Sequence, residues 1–239
     1  MDYLGIVKEK VALKEGVALL ERYLKKLYLE EKGVPGKSLA VFLHIPVPVA
    51  SAIKKEFIGL GLVKQDSGVC LTAKGKTYVE DCLGFKGLDT GLYRALMESH
   101  EKREGLVQEL CGRYGGIFAD RPQADVTVDQ AKATVETAFR RAMLCLEQEC
   151  LINRRILCVG DDDFISVALG LLLKHLYDDG SCSTSEVCAF DVDGRIIAYI
   201  HELALRFALP VQAVRLDFRD PLPIAYASYF DTFFTDPPY

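Results

Sequence analysis

Residues 156–176 read ILCVGDDDFISVALGLLLKHL: four apolar residues, a glycine, three aspartates, then an apolar run of helical length. The short run before Gly160 predicts a buried strand over Ile156–Val159, and the longer run predicts a helix packed against it. The rhythm then repeats. VCAFDVD at 187–193 leads to IIAYIHELALRFAL at 196–209, VQAVRLDF at 211–218 and YFDTFFTDPPY at 229–239. Strands alternating with helices predict βαβ units and a parallel sheet.

In a nucleotide-binding arrangement the first strand–helix turn carries glycines that leave room for a pyrophosphate. Here Asp161, Asp162 and Asp163 occupy that room beside Gly160. Three carboxylates repel phosphate, which disfavours NAD, FAD and ATP, while the helix N-terminus helps keep them ionised. Such a loop suits a cation, a sulfonium or an ammonium. Asp191 ends the second strand, where a carboxylate is placed to accept both ribose hydroxyl hydrogens. Asp217 ends the third strand, facing the adenine end, and Asp236 ends the fourth. Parallel strands finish at one edge, so these acids are expected to share a crevice. The competing reading of any one of them is a turn residue or helix cap. In Asp236-Pro237-Pro238-Tyr239 the tandem prolines fix an extended backbone that lacks donors. Its carbonyls and the Asp236 carboxylate are placed to hold an amine, with Tyr239 packing on the substrate. That tetrapeptide also occurs in amino-directed methyltransferases of nucleic acids, so alone it indicates amine alkylation and not the substrate.

Upstream, residues 1–31 repeat apolar positions at helical spacing, and Gly33-Val-Pro-Gly36 breaks the pattern. A further helical segment over about 47–60 stops at Gly61. Two short strands, Leu62–Gln65 and Val69–Thr72, follow around the turn Asp66-Ser67-Gly68. This order resembles a winged helix. Its second helix offers Lys54 and Lys55 offset by Glu56, thin for a groove-reading surface. Dimerisation or packing is therefore the expected role, and nucleic acid is not an expected partner. Residues 91–114 predict one amphipathic helix ended by Gly115-Gly116, residues 119–123 a loop, and Thr134–Cys150 another helix.

Bulk properties agree. The 239 residues are 50% hydrophobic and 26% charged, enough to bury a core. Net charge is −5 and uneven: residues 1–90 hold 14 Lys+Arg against 11 Asp+Glu, residues 91–239 hold 15 against 23. The acidic second half suits a cation better than a nucleic acid. No signal or membrane-spanning segment is read, so a cytoplasmic location is expected. The eight cysteines (70, 82, 111, 145, 150, 158, 182, 188) form no Cys-x-x-Cys pair. Reduced, buried thiols are expected, and no metal site.

Taken together, the motifs resemble the branched-chain polyamine synthases, the N4-bis(aminopropyl)spermidine synthase family. The resemblance rests on Asp129-Gln130 with Thr134, Glu136-Thr137 and Arg140-Arg141; on Gly160 through Phe164 with Ser166; and on Asp191, Asp193 and Arg195. It continues through Asp217, Arg219 and Pro221-Leu222-Pro223 and through Asp231-Thr232-Phe233 to Asp236-Pro237-Pro238-Tyr239. It covers about residues 117–239 closely.

The resemblance implies decarboxylated S-adenosylmethionine as aminopropyl donor and spermidine as acceptor, with no permanent cofactor and no metal. It implies Asp163 as the group that orients the attacking amine and helps remove its proton, with Asp236 as the second catalytic acid and acceptor anchor. Asp161 and Asp162 would hold the donor's ammonium and disfavour the undecarboxylated donor by like charge. Gln130 would close over the donor, beside Gly160, Asp191 and Asp217. A homodimer is expected. The expected fold class is α/β: an N-terminal winged helix (1–88), a helical connector that begins the catalytic domain (89–150), and a Rossmann-like, methyltransferase-type parallel sheet (151–239). That sheet is expected to be incomplete after its fourth strand, as in a fragment of a longer protein. The alternatives are an amine methyltransferase using S-adenosylmethionine and a winged-helix DNA-binding regulator.

Overall fold

The computed structural model describes residues 2–30, 32–128, 130–177 and 184–235. The chain divides into two compact units, Met1–Lys86 and Gly87–Tyr239.

In the first unit, residues 2–30 contain two helices, α1 (Tyr3–Val11) and α2 (Val17–Leu29). The apolar periodicity runs across both, but the backbone breaks between them. Ala12 closes α1 in the left-handed region at φ 52°, and Gly16 enters α2 at φ 84°. Prolines then start the next two helices: Pro35 precedes α3 (Gly36–Phe42) and Pro46 precedes α4 (Val47–Gly59). An antiparallel hairpin of β1 (Val63–Gln65) and β2 (Val69–Leu71) and a helix α5 (Ala73–Cys82) complete the unit. Leu20, Leu24, Leu39, Ile53, Phe57 and Leu62 form its fully buried centre.

The second unit opens with α6 (Thr90–Glu98) and α7 (His100–Ala119) where the sequence predicts one helix over 91–114. Ser99 is the cause of the break. Its backbone is extended, and its hydroxyl accepts from the Lys102 amide, so it ends one helix and caps the next. Nor does Gly115-Gly116 end α7. Ile117 and Phe118, one step on, are buried, and Phe118 packs on Phe139 and Phe164. Tertiary packing there outweighs glycine's low helix propensity. Helix α8 (Val135–Glu147) is capped by Thr134, whose hydroxyl accepts from the Thr137 amide; it ends before Cys150.

Four parallel strands follow: β3 (Arg155–Val159), β4 (Glu186–Asp191), β5 (Val211–Arg215) and β6 (Thr232–Thr235). Their spatial order is β5-β4-β3-β6. Helices α9 (Ile165–Leu176) and α10 (Gly194–Phe207) make the first two crossovers, and α8 packs on α9. Register shows which residues face them. Ile156 and Cys158 lie beside Val187 and Ala189, and this face carries the helices; Leu157 and Val159 lie beside Cys188 and Phe190 on the other. There Tyr226 and Phe230, from the connection between β5 and β6, pack on Phe190. Successive strands step away from β3 in one direction, then β6 returns to its other side. The carboxyl ends of β3 and β6 therefore flank a topological switch point, where open α/β sheets form their crevice.

Among the described residues no single helix is long and apolar enough to cross a membrane. Of the described cysteines, Cys145, Cys158 and Cys188 are buried and Cys82 is exposed.

Candidate active site

A cleft of about 260 Å³ lies at that switch point. Its floor and walls include Cys158, Val159, Gly160 and Ile165, with Phe234 and Thr235 at the end of β6. Arg141 and Leu144 of α8 close one side, and Asp161 and Asp163 edge it. Gly160 sits at φ 68°, and nothing lies within 4 Å of where a Cβ would stand. Its freedom is thus needed for the backbone turn, which throws the following aspartates back over the strand end.

The three aspartates of the loop do different things. Asp161 points inward and is 1% exposed. Both its oxygens accept from the Ser166 amide, at 3.2 and 3.3 Å, and one also accepts from the Ser166 hydroxyl. It thereby caps the first turn of α9. Burial pushes its carboxyl up to about 7, against the lowering effect of those bonds from Ser166. The sequence places Asp161 among the ligand-holding acids, but its oxygens are taken within the fold. Asp162 is half-buried and accepts from the Ala131 amide at 2.9 Å. Burial and then the neighbouring Asp163 charge raise it to about 6. Asp163 is buried, accepts from the Ala133 amide, and is ion-paired to Arg141 at 2.7 Å.

Next along the edge, Asp191 is also turned to backbone. It accepts from the Asp161 amide at 2.9 Å and the Asp193 amide at 2.8 Å, so it ties the β3 loop to the end of β4. Burial raises its carboxyl above the ordinary range. Asp193 caps α10, and the Arg195 guanidinium holds it well below that range. Gln130 joins this group: its amide nitrogen donates to Asp193 at 3.2 Å while its oxygen accepts from the Asp125 amide at 2.7 Å.

The structure therefore gathers Gln130, Gly160, Asp161, Asp162, Asp163 and Asp191 into one bonded cluster. Asp217 stands apart. It lies two residues past β5, two strands away from β3, and its carboxylate is forked by Arg219, which holds it at about 2. Asp236, Pro237, Pro238 and Tyr239 lie outside the described residues, as does Asp129.

Two residues to which the sequence assigns no role shape the site. Arg141 appears there only as part of a motif, yet it neutralises Asp163. Arg121, read as a loop residue, is 8% exposed and bonds the carbonyls of Phe118, Asp162 and Ala133. Phe164 adds a further constraint. It holds φ 59°, strained for a bulky residue, and is fixed by a fully buried ring against Phe118 and Tyr199.

Chemically, this is a crevice with acids at one edge, one of them titrating near neutrality, and an apolar floor. No cluster of His, Cys, Asp and Glu among the described residues is arranged to hold a metal ion.

Residues 109–239 match the model of the branched-chain polyamine synthase A C-terminal domain. An uncharacterised protein of Methanocaldococcus jannaschii is 27% identical over 237 residues, which cover 99% of this chain and 58% of that protein. The N(4)-bis(aminopropyl)spermidine synthase of the same organism is 31% identical over 194 residues, 81% of this chain and 52% of the enzyme. This chain thus spans a little over half the length of these relatives. Among solved structures, a branched-chain polyamine synthase of Thermus thermophilus, in complex with N4-aminopropylspermidine and 5'-methylthioadenosine, is 24% identical with a TM-score of 0.47. That match covers 98% of this chain and 62% of that one.

Proposed function

Because the chain belongs, over residues 109–239, to the branched-chain polyamine synthase A C-terminal domain family, we propose that it transfers an aminopropyl group from decarboxylated S-adenosylmethionine to the secondary amine of spermidine. The observation that carries this reading is the acid-edged cleft at the switch point of the parallel sheet. A site for a dication and a trication needs fixed negative charge beside an apolar trough for methylene chains. Asp161 and Asp163 edge the cleft, Leu144 and Phe234 give it apolar walls, and Asp162 stands between the two acids in the same loop.

In this reaction the amine lone pair bonds to the propyl carbon attached to sulfur. The carbon–sulfur bond breaks, and its electron pair leaves with methylthioadenosine. The amine proton goes to a carboxylate, since an ammonium has no lone pair with which to attack. Asp163 is assigned the orienting role, with Arg141 fixing its rotamer. Asp162 is assigned the proton: raised to about 6, it is basic enough to accept one and acidic enough to release it. Asp161 lies beneath them and gains its charge only as pH rises through about 7. Gln130 and Asp191 brace the donor side, Asp217 marks its adenine end, and Asp236 with Pro237, Pro238 and Tyr239 anchors the acceptor. The same reading puts the protein in the cytoplasm as a homodimer, and gives the N-terminal unit a dimerisation or packing role and not a DNA-binding one.

The test is to incubate the protein with each donor and spermidine and to follow methylthioadenosine and branched product by mass spectrometry. Turnover with decarboxylated donor and none with S-adenosylmethionine is expected. Equal turnover with both would remove the charge-exclusion argument, and methyl transfer alone would replace the reading with an amine methyltransferase.

A further inference from the structure

Arg121 has an unusual set of partners for a buried cation. Its Nε donates to the Phe118 carbonyl at 2.8 Å, one terminal nitrogen to the Asp162 carbonyl at 3.2 Å and the other to the Ala133 carbonyl at 2.8 Å. Its guanidinium lies over the rings of Phe118 and Phe164, 5.5 and 5.4 Å from their centroids. Among the described residues it makes no ion pair, although three aspartates stand close by. A buried guanidinium without a carboxylate partner is costly, and desolvation lowers its proton affinity, while Asp163, Asp162 and Asp161, in that order, support its charge.

The carbonyls it binds are not arbitrary. Asp162 belongs to the acidic loop and Ala133 to the segment facing it. That segment returns the bonds: the Ala131 amide donates to Asp162 and the Ala133 amide to Asp163. Lys132 closes the ring by donating to the Arg121 carbonyl at 3.3 Å. Phe164, the strained residue, is held under the same guanidinium. We infer that Arg121 is a positioning residue for the proposed transfer: it clamps the acidic loop to residues 131–133 through carbonyls alone, lending the loop positive charge without occupying its carboxylate oxygens. Arg141 does the opposite at Asp163, where an ion pair takes one oxygen. A lysine cannot reproduce the clamp, since three carbonyls each met by a different guanidinium nitrogen match the fork and not a point charge.

The inference rests on the function proposed above, and the experiment separates the two. Arg121→Lys and Arg121→Gln are made in the full chain, with unfolding curves, steady-state kinetics over pH, and carboxyl titration by NMR on aspartate-labelled protein. Arg121→Lys is expected to keep the aspartate titrations and to lose roughly tenfold to a hundredfold in kcat, with spermidine KM little changed. Arg121→Gln is expected to move the Asp161 and Asp162 carboxyls, and the acid limb of the rate profile with them, up by about 1 pH unit. If the wild-type protein transfers no aminopropyl group, the functional reading fails, but the carboxyl titration still decides the role of Arg121. A folded Arg121→Gln with unshifted carboxyls overturns the inference. If that variant does not fold, an Arg121→Lys enzyme with wild-type kcat overturns it instead.

Discussion

Replacing Asp161 with asparagine is expected to stabilise the fold at neutral pH, and by an amount that depends on pH. The wild-type carboxyl is 1% exposed and rises from 3.8 to about 7 because burial disfavours its charged form more than Ser166 favours it. Each pH unit of such displacement corresponds to about 1.4 kcal/mol, so the ionised form costs the native state on the order of 4 kcal/mol. The sign follows from proton counting. Between about pH 4 and 7 the native state binds more protons at this site than the unfolded chain, so the contribution to stability falls as pH rises through that window. Asparagine keeps an oxygen for the Ser166 amide and hydroxyl and carries no charge. Urea unfolding of both proteins at pH 5 and pH 8 is the assay. The variant's advantage is expected to grow by roughly 3 kcal/mol across that interval, since about two of the three pH units lie within it. Asp191, which shares the repulsion, strengthens the effect. Stability curves that run parallel from pH 5 to 8 would refute the assignment of a buried, proton-linked carboxyl to Asp161.

Asp162→Asn is expected to remove the limb of the pH–rate profile near 6, seen as a flat rate from pH 5 to 7 at reduced kcat; an unchanged limb would take the proton step away from Asp162. Gly170→Ala tests the packing under the site. Its new methyl group would stand 2.7 Å from Val211 and 3.1 Å from Leu209, so α9 must shift on β5, and a loss of about 1–3 kcal/mol is expected by chemical denaturation despite alanine's better helix propensity.

The apolar runs at 156–159, 187–191 and 211–215 and the segment at 229–235 made the four parallel strands readable, because a buried strand announces itself by composition. Helix boundaries were less accessible. Ser99 breaks a run that looks continuous because a hydroxyl satisfies a backbone amide there, and Gly115-Gly116 fails to break one because Phe118 has a pocket to fill. Within the site, the family resemblance sets Asp163 apart but treats Asp161 and Asp162 alike. Their division into an inward cap, a half-buried acid and a paired acid depends on the backbone turn at Gly160 and the strained Phe164, which composition does not encode. Arg121 was illegible for a more general reason. Its partners are carbonyl oxygens, which every residue has, so no pattern of side chains could have pointed to it.

The two forks at Asp193–Arg195 and Asp217–Arg219 share one design. In each, the arginine two residues on binds its own aspartate through both the backbone amide and the guanidinium. These two acids, one bonded into the site and one apart from it, thus carry their own counterions. An arriving ammonium must displace a guanidinium tethered to the acid it seeks, at an effective concentration that a free monovalent cation does not match. A ligand carrying several charges at fixed spacing competes at several acids in one encounter. Under the proposed function, these two acids would therefore favour ligands by charge number and spacing over potassium and simple amines.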